Sequence, residues 1–170
     1  MLGPLPDKVD HDTIEENLSR WVNIDGLGLV HAQIITPAYV FLHATKEGQS
    51  KQKNQAEVSR RINHEIDHLI RYQSCFALSL EMSTPMAADL RWWSAYIAHQ
   101  GTKLFNASIK DMTEEVTGRV INSDQDIYIY KSYGTVCTES ALILQKEYTL
   151  VLTPTFRPGL SPIRLRWDKI

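Results

Sequence analysis

The stretch DIYIYKSYGTV, residues 126–136, alternates large apolar side chains with smaller or polar ones. A period of two residues is typical of a β-strand that buries one face. The same period recurs in SALILQKEYTLVLTP (140–154) and in IRLRW (163–167), and prolines at positions 154, 158 and 162 mark a connection. We therefore predict mainly antiparallel strands between residues 126 and 170.

The period changes upstream of these strands. Between residues 56 and 82, apolar residues such as Ile62 and Ile66 recur at helical spacing, and a second such stripe runs from 86 to 116. Ser-Thr-Pro at 83–85 ends the first helix and begins the second. We predict a long antiparallel helical hairpin over 56–117, with Ile97 and Leu104 facing the sheet.

The N-terminal third completes the predicted architecture. Residues 12–22 have the spacing of a short helix, and 29–44 have the composition of strands interrupted at Pro37. Residues 1–11 are expected to form an arm. The predicted fold class is α+β, a helical hairpin packed on an antiparallel sheet within a single domain, 1–170.

Composition narrows the classes of function. The chain has 170 residues with 18 basic and 20 acidic side chains, so a grip on a phosphate backbone is disfavoured. No apolar run is long enough to cross a bilayer. Two cysteines, Cys75 and Cys137, form no disulfide framework, and we expect a cytoplasmic or otherwise intracellular protein.

The segment HEIDH (64–68) matches the zinc-peptidase pattern H-E-x-x-H. On a helix, His64 and His68 lie one turn apart, and the predicted hairpin brings His99 near them as a third ligand. Glu65 is then the general base. That metal site is the alternative, and we expect a packed or solvated histidine pair that binds no metal.

HEIDHL also resembles the H-E-x-D-H motif of peptide deformylases. DGLGLVHAQI (25–34) resembles that family's G-x-G-L-x-x-x-Q motif through Gly26, Gly28, Leu29 and Gln33. The resemblance implies a metal held by His64 and His68, with Glu65 as base and Gln33 at the oxyanion site. The motif that carries the family's cysteine ligand does not occur between the two segments.

PMAADLR (85–91) is similar to the Pro-x-Ala-x-Asp-Leu-Arg turn between helices of PhoU-like phosphate regulators. That resemblance implies a helical corner at these residues. The acidic metal motif of the family does not follow it.

We expect a non-enzymatic structural or partner-binding protein that self-associates or joins a larger assembly, without a cofactor. The contact is expected to involve residues 1–10 or 153–162. The residues predicted to bind a partner are Trp92, Tyr96, Pro154, Phe156, Pro158 and Trp167. The alternative is a zinc-dependent hydrolase, peptidase-like or deformylase-like, that uses HEIDH.

Overall fold

The structure is a computed structural model that describes residues 18–51, 54–71, 73–110, 112–113, 117–122, 127–142 and 146–168. The strands in these residues are β1 (Ser19–Ile24), β2 (Gly28–Ile35), β3 (Cys75–Met82), β4 (Trp93–His99), β5 (Thr102–Lys110), β6 (Thr117–Asn122), β7 (Ile127–Thr138), β8 (Tyr148–Pro154) and β9 (Ile163–Trp167). The helices are α1 (Pro37–Ser50), α2 (Gln55–Arg71) and the short α3 (Pro85–Ala88), which a 3₁₀ turn follows at Leu90–Trp92.

All nine strands belong to one antiparallel sheet, which curls into a nearly closed barrel. Their order is β1-β2-β3-β7-β5-β4-β8-β9, and β6 pairs with the first part of β7. β5 pairs with the last part of β7, so this long strand has two successive neighbours along one edge. The expectation of a mainly antiparallel sheet is confirmed, and so are the C-terminal strands.

Side chains join the two edge strands, β1 and β9. The Nε of Arg20 donates a hydrogen bond to the carbonyl of Arg166 at 2.7 Å, and the indole N–H of Trp167 donates to the carbonyl of Leu18 at 2.9 Å. The Arg20 guanidinium also lies 5.7 Å from the centroid of the Trp167 ring. In the described residues, β1 and β9 are not paired by backbone hydrogen bonds, so these side-chain contacts hold the two edges together.

Apolar side chains fill the interior of the barrel. Alternate residues of β9 are buried, as the IRLRW pattern predicts, while its two arginines are exposed. The largest fully buried side chains come from strands all round the sheet: Trp167, Phe76, Ile34, Leu78, Leu80, Met82, Ile97, Leu150, Leu152 and Leu165. Burying each of them contributes about 1.5–3 kcal/mol relative to exposure. The barrel therefore encloses a packed apolar core.

The predicted α+β fold class is wrong, because the described residues form mostly antiparallel β-sheet with only short helices. The predicted long helical hairpin does not occur. α2 ends at Arg71, and residues 75–82 form β3, a strand paired with both β2 and β7. Phe76 and Leu80 have helical spacing with Ile62 and Ile66 in the predicted helix, but they also fit a period of two with Leu78 and Met82. A strand between two neighbours satisfies all its backbone hydrogen bonds while it buries that face.

The predicted second helix, 86–116, is wrong for a similar reason. Apart from the short helical corner, its described residues as far as Lys110 form β4 and β5, joined by a tight turn at Gln100 and Gly101. Both turn residues have positive φ, 48° and 78°, which suits the twist of a two-residue hairpin loop. Ile97 is buried in the barrel, whereas Leu104 faces outward.

The segment from 29 to 44 is only partly a strand. β2 ends at Ile35, and α1 begins at Pro37 because proline suits the first turn of a helix. The Thr36 hydroxyl caps α1 by accepting a hydrogen bond from the Tyr39 amide at 3.2 Å. Of the predicted helix 12–22, residues 19–22 lie in β1, while 12–17 and the predicted arm 1–11 lie outside the described residues.

The helices α1 and α2 form an excursion between the adjacent strands β2 and β3. They pack on each other more closely than on the sheet. At their crossing, Gly48 lies so close to Val58 that a Cβ there would be 2.6 Å from a Val58 methyl group. Within the described residues, every helix is too short or too polar to cross a membrane.

Candidate functional site

The HEIDH residues lie on α2, as predicted. Asn54 caps this helix by accepting a hydrogen bond from the Ala56 amide at 2.8 Å. His64 and His68 are exposed one turn apart, while Glu65 is half-buried. The carboxylate of Glu65 accepts a hydrogen bond from Nε of Arg61 at 2.7 Å. The residue expected to act as a base is thus held in an ion pair, and its catalytic role stays a prediction.

His99 lies at the end of β4, not on a helix beside α2. Its Nδ1 is 2.6 Å from the carbonyl oxygen of Glu147, and its ring is 5.7 Å from the Tyr148 ring. The helical hairpin that was to bring it to His64 and His68 does not exist. No three His, Cys, Asp or Glu side chains gather into a possible metal site in the part of the chain that the structure describes, so the alternative zinc site formed by His64, His68 and His99 together is wrong.

His64, Glu65 and His68 instead line an open groove between α2 and the outer face of the sheet. The groove has a volume of about 350 Å³. Its floor includes the cross-strand pair Cys75 and Cys137, which join β3 to β7.

Cys75 and Cys137 form a disulfide, which the sequence analysis missed. They are directly paired across β3 and β7, with Cα atoms 4.2 Å apart. That separation is typical of a non-hydrogen-bonded antiparallel pair, the register that brings side chains closest. Neither cysteine alone indicates a disulfide, because each lies in an ordinary alternating stretch. Only the register of β3 against β7 shows that the two are paired.

The two glycines of the deformylase-like segment build a turn. Gly26 and Gly28 have φ of 71° and 146° and connect β1 to β2. Gln33 follows on β2, where it lies half-buried opposite Ala77 of β3. The resemblance predicted an oxyanion site at Gln33, which stays a prediction, and the two glycines serve the geometry of a hairpin.

The PhoU-like segment forms a compact corner between β3 and β4. Thr84 caps α3 by accepting a hydrogen bond from the Ala87 amide at 3.3 Å. Asp89 accepts hydrogen bonds from both the backbone and the guanidinium of Arg91, which lowers the pKa of the Asp89 carboxyl. The Trp93 indole N–H donates to the Ala87 carbonyl at 2.9 Å. The helical corner exists, but it joins strands.

The residues expected to bind a partner fall into two groups. Trp167 and Pro154 are buried in the barrel, where no partner can reach them. Trp92 is 46% exposed, and Pro158 is exposed too. Phe156 is half-buried with its ring edge toward Trp93, 5.5 Å between centroids.

Tyr96, the remaining candidate, is half-buried. The ammonium of Lys103 lies 5.3 Å from the centroid of its ring, which is a cation–π distance. Tyr96 lies on β4 opposite Asn106 of β5, on the strand that begins directly after Trp92.

Two exposed aromatic residues on the outer face of the sheet were also missed. Trp21 and Tyr133 lie in one cross-strand row through His31 and Ser79. Trp21 stacks on His31 with 3.8 Å between ring centroids, and Nε2 of His31 is buried without a hydrogen-bond partner. Burial lowers the pKa of His31. This histidine is a neutral packing surface for Trp21.

Comparison with known proteins finds no family model that matches this chain and no similar curated protein.

Proposed function

We propose that the protein is non-enzymatic and acts by binding another protein surface, with a second copy of the same chain as the partner. The observation that carries this proposal is Trp92, a large aromatic side chain displayed on the corner between β3 and β4. Exposed tryptophans on rigid supports are the side chains that most often dominate binding energy at interfaces.

Hydrogen bonds hold the corner on both sides of Trp92. The amide and the hydroxyl of Thr155 both donate to the Trp92 carbonyl, each at 2.8 Å. These bonds tie the segment after β8 to the corner, so Phe156 and Pro158 lie on the strand connection that borders Trp92. A surface held in place loses little conformational entropy on binding, which favours affinity.

The corner also carries an exposed apolar side chain and an ion pair between two of its own residues. Met86 on α3 is 53% exposed. Asp89 and Arg91 neutralise each other across 2.6 Å. A twofold contact sets the same patch against itself, so an apolar patch whose charges are already paired suits a second copy. The predicted contribution of residues 153–162 is retained here, while residues 1–10 lie outside the described part of the chain.

The shape of the molecule favours binding over catalysis. The barrel interior is occupied by side chains, and Glu65 is engaged by Arg61. The net charge of −2 gives no electrostatic basis for nucleic acid as the partner.

Sedimentation velocity over a range of protein concentrations tests the proposal. We expect a mass above the 19.4 kDa of one chain, and we expect Trp92→Ala to raise the dissociation constant about thirtyfold, as loss of a central interface residue does. Trp21→Ala is the matched control, since it removes an exposed tryptophan that lies on β1 and not on the corner. A monomer at every concentration, or equal effects of the two substitutions, would contradict the proposal.

The compartment is also a proposal. The sequence favoured an intracellular setting on the basis of cysteine usage, but the pairing of Cys75 with Cys137 favours a compartment in which disulfides persist. We place the protein in an oxidising compartment. Peptide mapping of the native protein without reductant tests this placement. Free thiols at both cysteines would contradict it and favour the intracellular setting.

A further inference from the structure

We propose that the groove between α2 and the sheet binds a small amphipathic carboxylate, a molecule with an apolar body and one anionic head group. The volume of about 350 Å³ lies within the range of small-molecule sites. At roughly 30 Å³ per non-hydrogen atom, the value for liquid water, it holds about a dozen such atoms. This inference does not depend on the proposed self-association.

One end of the groove is apolar. Ile35 of β2 is the cross-strand neighbour of Cys75, which is bonded to Cys137 of β7. Val40 of α1, whose amide donates a hydrogen bond to the carbonyl of Thr36 next to Ile35, also lines the groove. A methyl-rich wall on a disulfide floor offers no hydrogen bonds, so it suits an alkyl or aryl body.

The other end carries a cation and a hydroxyl. Thr135 on β7 and Lys110 on β5 are cross-strand partners, and both line the groove. Lys110 lies three strands from Ile35, about 14 Å at the usual spacing between strands. No carboxylate of the described residues forms an ion pair with the Lys110 ammonium. The groove is therefore polarised along its length.

The nearby acid does not cancel this charge. Glu65 lines the groove, but its carboxylate is paired with the guanidinium of Arg61 at 2.7 Å. His64 adds a ring nitrogen that can donate a hydrogen bond, and Gln73 adds an amide. A lysine ammonium beside a threonine hydroxyl matches a carboxylate head group better than a neutral one.

Octanoate is the probe, and ¹H–¹⁵N correlation spectra are the measurement. We expect saturable shifts at the groove residues, and we expect Lys110→Met to weaken octanoate binding about tenfold, since it removes a charged donor but keeps the side-chain length. Octanol should bind the wild type and Lys110→Met equally. Lys103→Met is the matched control on the same strand and should change nothing.

A second readout uses the floor of the groove. Thiol attack on a disulfide depends on access to sulfur, so bound octanoate should slow reduction of Cys75–Cys137 by dithiothreitol, and octanoate should protect Lys110→Met less. Absence of saturable binding, equal binding of octanoate to wild type and Lys110→Met, or shifts confined to residues outside the groove would overturn the proposal. Dispersed spectra of each variant confirm that it is folded.

Discussion

Gly26 and Gly28 stand two residues apart in the β1–β2 turn, yet a methyl group would meet different surroundings at each. A Cβ on Gly26 meets nothing within 4 Å, whereas a Cβ on Gly28 would overlap the Glu81 carbonyl and lie 2.8 Å from the Met82 Cα. Both have positive φ, so both substitutions strain the backbone.

We predict that Gly28→Ala lowers the free energy of unfolding by about 3 kcal/mol or more, because strain and a backbone clash add. Gly26→Ala should cost about 1–2 kcal/mol through strain alone. Urea denaturation of the two variants compares them directly. Equal losses would show that the close approach of β2 to β3 has no energetic consequence.

The positions of single residues were predicted correctly where the residue type allows only one structural role. The alternating residues of IRLRW are buried and exposed as expected, and Pro85 starts a helix. Trp167 was predicted to bind a partner because an aromatic residue beside arginines looks exposed. Its ring is buried in the barrel, 5.1 Å from the Phe76 ring between centroids, and the approach of β1 to β9 carries Arg20 to it.

Among the elements, β3 shows why the helical hairpin was predicted in error. Apolar residues at 62, 66, 76 and 80 fit a helix, and those at 76, 78, 80 and 82 fit a strand. A short apolar run satisfies both periods, and what decides is whether neighbours exist to pair with it. Those neighbours, β2 and β7, are far away in sequence, so no local pattern contains the answer.

The disulfide across β3 and β7 is expected to stabilise the folded protein. It closes a loop with a sequence separation of 62 residues, and for a loop of that length the chain-entropy model gives about 4 kcal/mol of stabilisation. We expect the double variant Cys75→Ser and Cys137→Ser to lose about that much in urea denaturation. Wild type with dithiothreitol present should match the double variant, and a variant as stable as the oxidised protein would refute the pairing.

Glu47 links the two helices of the excursion and titrates at an unusual pH. Hydrogen bonds from Lys51 and Arg61 lower the pKa of its carboxyl from 4.5 to about 2. Because the folded pKa is depressed, the contribution of Glu47 is fully present above pH 4.5 and is lost as the pH falls toward 2. We therefore expect α1 to stay docked on α2 at pH 4.

Carbon-13 titration of the carboxyl checks the pKa of Glu47, and amide exchange in α1 checks the docking. Arg61→Gln and Lys51→Gln should each raise the pKa of Glu47. Only Arg61→Gln should speed amide exchange in α1, because Arg61 spans the two helices whereas Lys51 lies four residues from Glu47 on α1. If both variants accelerate exchange equally, the cross-helix ion pair is not what docks α1.

For the whole molecule, the candidate site shows the limit of sequence motifs. HEIDH correctly predicted a helix with two histidines on one side, since that follows from spacing alone. Metal binding required a third ligand at the same place, and His99 reached a different end of the barrel because its segment is a strand. The groove arises only where the helices, β3, β7 and β5 meet, which requires the complete topology.

The barrel is expected to fold without the helices α1 and α2. Thr36 and Ser74 follow and precede the paired residues Ile35 and Cys75, so these two strands are already hairpin neighbours. Replacing residues 37–73 by Asn-Gly should leave a chain that still folds as the barrel, since this dipeptide forms the tight turn that joins antiparallel strands. Ser74 is kept because its amide and hydroxyl bond Thr138 and Leu142.

Amide exchange protection in β3, β7 and β8 should resemble that of the full chain, because these strands pair with one another or with strands that the deletion leaves intact. The near-ultraviolet signal of the buried tryptophans should persist. Octanoate binding should disappear, since α1 and α2 supply one wall of the groove. An unfolded shortened chain would show that the helices are required for the sheet to form, and it would contradict their description as an excursion from a self-sufficient barrel.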